Sequence, residues 1–310
     1  MPGIEVFFFE NVNNNCYLVA ILTCTLNNEI FFRVVTHDLL ANNLLNQPGD
    51  SALRQLMALL CSQKGPHKIE NTSFFLAYAN FLKTKKKTVI PDTPSSVLLH
   101  FFNLLNFFDY VSGSSKISNL FKIKKLNSIF KQSLTCYDLQ SQQASSAFYI
   151  RLNQALEVIK SGEKIVLKYK KQTLSPCKGT ENSGLVMDQT FQRLPPILVL
   201  VNEYQNEKKK LLDTSQFAGD VFFWPLIAGT PLEISQECAT RKTYKLRSVI
   251  LFSSTDCGHF STLIFTRSQD IILIDDSSSK KISQKELKKL LKCHIYILIL
   301  NDVNYLPDDP

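Results

Sequence analysis

None of the eight cysteines in this chain forms a Cys-x-x-Cys pair. Eight thiols spread over 310 residues are also too dilute for a disulfide scaffold, so a zinc ribbon and a stapled secreted fold are both excluded. Glycine and proline are scarce, Gly 10 and Pro 12, which rules out a fibre or a low-complexity chain. No internal repeat is visible. The longest apolar stretches, Val97–Phe108 and Ile295–Leu300, are too short or too polar to span a bilayer. The amino end, MPGIEVFFFENVNNNC, has neither a basic region nor a long apolar core, so no secretory signal peptide is expected there. Acidic residues are the minority charge: Asp+Glu 27 against Lys+Arg 35 leave a formal +8.

What is present is an ordinary globular composition, 45% apolar and 20% charged, on a chain long enough for a sizeable core. Residues 16–25, CYLVAILTCT, are almost wholly apolar after an Asn-rich run, which predicts a buried helix capped by Asn. Helix-like spacing recurs over Asp50–Cys61, over Ile69–Leu82 and, behind Pro and capping residues, over 91–108. A loop is expected at Ser112–Ser115. Beyond it, Phe148–Leu152, Lys164–Tyr169, Pro195–Val201, Tyr244–Phe252, Phe260–Phe265, Ile271–Ile274 and Ile295–Leu300 read as strands, with one helix at Gln284–Lys292. A helical front and an antiparallel β back make an α+β protein.

Of five histidines, His100 lies in an apolar helix and His294 abuts a strand, and both read as packed or surface residues. His259 opens a strand, and sixteen residues later Asp275-Asp276 closes the next one. In a hairpin the two would lie side by side, which is what an imidazole needs from an orienting carboxylate. The nucleophile expected with them is Cys16, at the amino end of an apolar helix where free N–H groups favour a thiolate. Asn11, five residues earlier, could donate to a developing oxyanion. Singly, each has a structural reading as core thiol, cap or turn; the order Cys, His, Asp with this local architecture favours thiol catalysis.

Four segments together resemble the ubiquitin-specific proteases over nearly the whole chain. Asn11-Val-Asn-Asn-Asn-Cys16-Tyr17 is similar to that family's Cys box, and Arg193-Leu-Pro-Pro-Ile-Leu198 to its Leu-Pro-Pro motif. Tyr244–Ile250, Gly258-His259-Phe260 and Leu273–Ser277 resemble its His box, and Ile295–Leu300 its last strand. The resemblance implies a papain-like core of thumb, fingers and palm. It makes Cys16 the nucleophile, His259 the base, Asp275 its orienter, Asn11 the oxyanion donor and Asp276 an auxiliary polar residue. One catalytic domain over 1–310 is expected, with a helical thumb to about residue 110, a finger insertion over about 115–190 and a β-rich palm from about 191.

Three departures bear on the expectations. Asn replaces the glycines of the family's Cys box. Cys136 and Cys177 each stand where the family has a thiol pair for finger zinc; two thiolates are too few, so a metal-free finger is expected. The family's Gln-Gln-Asp-Ala-x-Glu-Phe box, which faces the substrate tail, is placed by order at Asp92–Leu105, with Thr93 and Ser96 at its acidic positions and Asp92 one step away. The similar letters Gln142–Phe148 lie inside the finger and read as a decoy.

The expected function is a deubiquitinase-like thiol isopeptidase cutting after the carboxyl-terminal Gly of ubiquitin or a ubiquitin-like modifier, with no cofactor and no metal. The basic charge and the missing acids motivate SUMO as an alternative modifier. The Asn-rich Cys box motivates a second alternative, a silent modifier-binding module of the same fold. A third, Zn²⁺ held by Cys257, His259, Cys293 and His294, is disfavoured because adjacent residues of a strand point to opposite faces. Nucleic-acid binding is not expected, since the aromatic interleaving and known folds of such binders are absent. The expected site of action is the cytoplasm or nucleus, and a host cell's cytosol should the chain be a delivered effector.

Overall fold

The computed structural model describes residues 6, 8–9, 16–41, 68–69, 72–84, 94–132, 137–152, 156–169, 172–174, 185–202, 204–205, 210–211, 222–234, 242–253, 259–276, 278–290 and 294–305. The chain divides into two compact units. The first comprises Met1–Leu120, Arg247–Ile299 and Leu306–Pro310, and the second Phe121–Leu246 with Leu300–Tyr305.

The first unit is built on the helix Cys16–Leu26, in which every residue from Tyr17 to Leu26 is buried. A helix apolar on all sides has no face for water and belongs inside protein. It ends at Asn27-Asn28, and the Asn28 side chain accepts from the backbone N–H of Ile30 and Phe31, at 3.1 and 3.3 Å, to start the helix Glu29–Ala41. The helix Pro94–Ser112 has Pro at its first position, where no N–H is needed, and stops at Gly113, whose φ of +64° is a left-handed conformation that favours glycine. It packs by aromatic edges: Phe108 meets Phe31 at 5.5 Å, and Phe107 meets Tyr78 of the helix Thr72–Thr84 at 5.8 Å. Against the central helix lies an antiparallel meander: the later part of Lys242–Ser253, then His259–Phe265, Ile271–Asp275 and Ser278–Ile282. A short helix, Gln284–Leu290, follows.

The second unit contains an antiparallel sheet in the order Tyr137–Ala147, Ile123–Gln132, Leu185–Arg193, Gln172–Leu174. On Ile123–Gln132, Lys125 lies 5.4 Å from the Tyr169 ring, and burial holds its amine below the usual lysine range. The hairpin Leu156–Ser161/Lys164–Tyr169 pairs onward with Leu232–Ile234, which pairs with Lys242–Tyr244. Ile197–Val201 is buried at every residue and lies parallel to Ile150–Arg151. Tyr244 donates its hydroxyl to the Pro195 carbonyl at 2.7 Å, and Lys242 pairs with Asp302 at 2.7 Å.

The fold class is α+β as expected, with one correction to its β part. Ile197–Val201 with Ile150–Arg151 and Lys164–Tyr169 with Leu232–Ile234 are parallel pairs, so the sheet is mixed. A continuous apolar run such as ILVLV signals burial on both faces and leaves strand direction open. The helix predicted at 91–108 spans 94–112, and that at 284–292 ends at Leu290. All but the last of the decoy letters lie in Tyr137–Ala147, whose residues 141–146 are all exposed. Asp50–Cys61, Cys136 and Cys177 lie outside the described residues.

Candidate active site

Cys16 is the first helical residue of Cys16–Leu26 and is half-buried. It is one of the groups that raise the imidazole of His259, the first residue of the strand His259–Phe265. That strand packs on the helix, and Thr262 donates to the Ala20 carbonyl at 3.4 Å, so strand and helix are tied within two turns of the thiol.

Asp275 ends the neighbouring strand. The register Thr262↔Ile274 makes it a diagonal neighbour of His259 on the same sheet face. The imidazole Nε2 lies 2.5 Å from Asp275 Oδ1. Asp276 follows at φ +48°, a left-handed conformation that Asp tolerates better than most residues, and its Oδ1 lies 4.0 Å from His259 Nδ1.

Electrostatics follow from these contacts. The hydrogen bond that His259 donates to Asp275 is the largest cause that pushes the imidazole up to about 10; Cys16 and the Asp276 charge add to it, and partial burial opposes it. Reciprocally, the His259 contact holds the Asp275 carboxyl below the usual carboxylate range. At neutral pH the imidazole is therefore charged and its carboxylate partner is ionised.

The structure thus brings together Cys16, His259, Asp275 and Asp276. Asn11, Asp92 and Thr93 lie outside the described residues. Ser96 falls in the first turn of Pro94–Ser112, and its side chain is not among those described. Of the four residues weighed for zinc, Cys257 and Cys293 lie outside the described set, and His294 opens the strand His294–Asp302. His259, Asp275 and Asp276 keep ligand-type atoms within 4.8 Å of one another. A cation there would have to displace the imidazole's contacts with Asp275 and Cys16.

Sequence reasoning missed the support behind the thiol. The His100 ring packs on that of Tyr17, next to Cys16, with centroids 4.7 Å apart, and its Nδ1 lies 3.1 Å from the Tyr78 hydroxyl. The sequence placed His100 in an apolar helix as a packed or surface residue and held no sign of its partners. Glu29 pairs with Arg247 at 3.4 Å and also with Arg267, a contact between residues more than 200 positions apart that local pattern cannot show.

A thiol at a helix start, an imidazole opening one strand and a carboxylate ending the next are the arrangement of a papain-like thiol hydrolase. The family model described as Ubiquitin carboxyl-terminal hydrolase matches residues 9–300, and the chain belongs to that family, as a ubiquitin-specific-type, cysteine-type isopeptidase with deubiquitinase-like function. No curated protein matches the chain.

Solved structures share the fold at low identity. A variant of the SAGA Ubp8/Sgf11/Sus1/Sgf73 DUB module is 16% identical with TM-score 0.62, covering 96% of this chain and 68% of that one. The same module bound to ubiquitin aldehyde is 16% identical with TM-score 0.61, covering 96% and 70%. The yeast module with a mutant Sgf73 is 16% identical with TM-score 0.58, covering 99% and 71%.

Among the described residues no single helix is long and apolar enough to cross a membrane. Cys16–Leu26 with Glu29–His37 passes such a test only as a pair bent by 83°.

Proposed function

We propose that Cys16, His259 and Asp275 hydrolyse the isopeptide bond between the carboxyl-terminal Gly of ubiquitin and a substrate lysine. The observation that carries this reading is His259 bonded to the Asp275 carboxylate at 2.5 Å, on an imidazole that Cys16 also raises.

With the proton already on His259, the Cys16 sulfur attacks the glycine carbonyl as the thiolate paired with the charged ring. Asn11 would donate to the resulting oxyanion. The tetrahedral adduct collapses as His259 protonates the leaving lysine amine, which leaves a thioester on Cys16. His259, now neutral, takes a proton from the water that attacks the thioester, the C–S bond breaks to release the modifier's carboxyl, and the proton stays on His259 beside the freed sulfur. Asp275 keeps the ring turned to the thiol and stabilises its charged form, while Asp276 assists from the turn.

Asp92, Thr93 and Ser96 would meet the modifier's tail on this reading, within one catalytic domain of thumb, finger and palm. Ubiquitin is the favoured modifier: the family match names it, and a fold neighbour was solved with ubiquitin aldehyde. SUMO rests only on the +8 charge and on Thr93 and Ser96. The reaction belongs where ubiquitin conjugates are, in cytosol or nucleus, a host's if the chain is delivered there.

The test is reaction of wild type and Cys16→Ala with ubiquitin and SUMO probes carrying a carboxyl-terminal electrophile. A Cys16-dependent ubiquitin adduct is expected. A SUMO adduct alone would reassign the modifier, and an adduct that survives Cys16→Ala would end the assignment.

A further inference from the structure

Beside the catalytic carboxylate runs a strip of positive charge. The strand Ser278–Ile282 pairs antiparallel with Ile271–Asp275 in the register Asp275↔Ser278 and Leu273↔Lys280, at the end of its sheet's strand order. Opposed and alternate residues share a face, so Lys280 stands on the face of Asp275, with His259 one strand further on. Residues 278–281 are exposed.

After Ser283 the helix Gln284–Leu290 continues the strip. A capping box fixes its start: Glu286 Oε2 accepts from Ser283 N at 2.8 Å, and Glu286 N donates to Ser283 Oγ at 3.3 Å. Leu287 is fully buried and anchors one side; Lys285 and Lys289, one turn apart, point the opposite way, and Lys288 is exposed between them.

Neutralisation within the chain is slight. Glu286 is engaged in its cap, and Asp270 is taken by Lys281 at 2.6 Å. Lys280 lowers the Asp275 and Glu286 carboxyls and Lys289 that of Glu286, but only through space: neither they nor Lys285 makes a close ion pair among the described residues. Like charges at i and i+4 weaken a helix, so this arrangement does nothing for the helix itself.

We infer that Lys280, Lys285, Lys288 and Lys289 form a docking surface for an acidic segment of the protein from which the modifier is removed. The inference rests on the isopeptidase reading above. An isopeptidase meets two polypeptides at once. The resemblance implies that the modifier brings a basic tail, which these lysines repel, whereas the reaction places no demand on residues flanking the modified lysine. Acidic residues there would gain several screened ion pairs, each worth little, which together make a several-fold preference.

The experiment uses the full chain and two conjugates, ubiquitin joined by its carboxyl terminus to the lysine of a Glu/Asp-flanked or a Ser/Gln-flanked peptide. The expected ratio of kcat/KM, acidic over neutral, is about five to ten at roughly 50 mM salt and close to one at about 500 mM. Lys285→Glu with Lys289→Glu should bring the ratio to one or below, while Lys285→Arg with Lys289→Arg retains it. Equal rates in wild type, or a preference that survives the Glu pair, overturn the inference.

If neither conjugate is cut, the isopeptidase reading has failed, and anisotropy of the labelled acidic peptide alone decides the docking. Salt-sensitive binding lost in the Glu pair supports it, and no binding overturns it. A DNA duplex of equal charge that binds more tightly than the peptide also overturns the assigned occupant.

Discussion

His259 and Asp275 meet diagonally across two antiparallel strands, Nε2 to Oδ1 at 2.5 Å, and Cys16 acts on the same imidazole. Each strand contributes a terminal residue, so the pair is set by the register of a well-hydrogen-bonded hairpin.

Asp275→Asn keeps the shape of the side chain and removes its charge. The His259 titration, followed by NMR, should move down from about 10 toward 6.5. The reaction should slow by roughly 10²- to 10⁴-fold in kcat/KM on a ubiquitin amide substrate. An unchanged imidazole titration would show that Asp275 does not set the charge of the ring.

The same contact links stability to alkaline pH. His259 is raised from 6.5 to about 10 in the folded chain, so its contribution is fully present below 6.5 and is lost as pH rises toward 10. Urea unfolding of wild type and His259→Gln between about pH 6 and 10 should show the wild-type advantage shrinking with pH.

His100 works in the opposite direction. It is 2% exposed, and burial pushes it down to about 4. Its stabilising neutral state is complete above 6.5 and is forfeited as pH falls from 6.5 toward 4, by about 3 kcal/mol at most. His100→Phe should flatten that acid limb in denaturant titrations. An acid limb as steep as in wild type would place the sensitivity elsewhere.

Two thiols on one helix should differ in reactivity. Burial pushes Cys24 up to about 12, against the contacts from Ser248 and Thr262. Iodoacetamide at about pH 7 should modify Cys16 and spare Cys24 until the chain unfolds, as read by peptide mass mapping.

The central helix carries the core. Leu22 is 0% exposed, and Leu22→Ala should cost about 2–5 kcal/mol, seen as a lower urea midpoint at unchanged slope.

Much of this was legible in one dimension, for local reasons. An unbroken apolar run made Cys16–Leu26 a buried helix, and β-branched runs made Tyr244–Phe252, Phe260–Phe265, Ile271–Ile274 and Ile295–Leu300 strands, because burial and propensity act over a few residues. The order Cys16, His259, Asp275 was visible for the same reason: each stands at the edge of such a run.

Polar strands were not legible. Tyr137–Ala147 has an exposed Ser/Gln run, and its strand form rests on pairing with Ile123–Gln132 rather than on an apolar alternation. The helix Glu29–Ala41 also went unread. The sequence by itself determined which chemical groups the protein has and the local elements that bear them. The tertiary structure alone decided strand direction, the 2.5 Å meeting of His259 with Asp275, the packing of His100 on Tyr17, and the lysine strip beside the carboxylate. Those depend on register and on contacts between residues far apart in the chain, and a local pattern constrains neither.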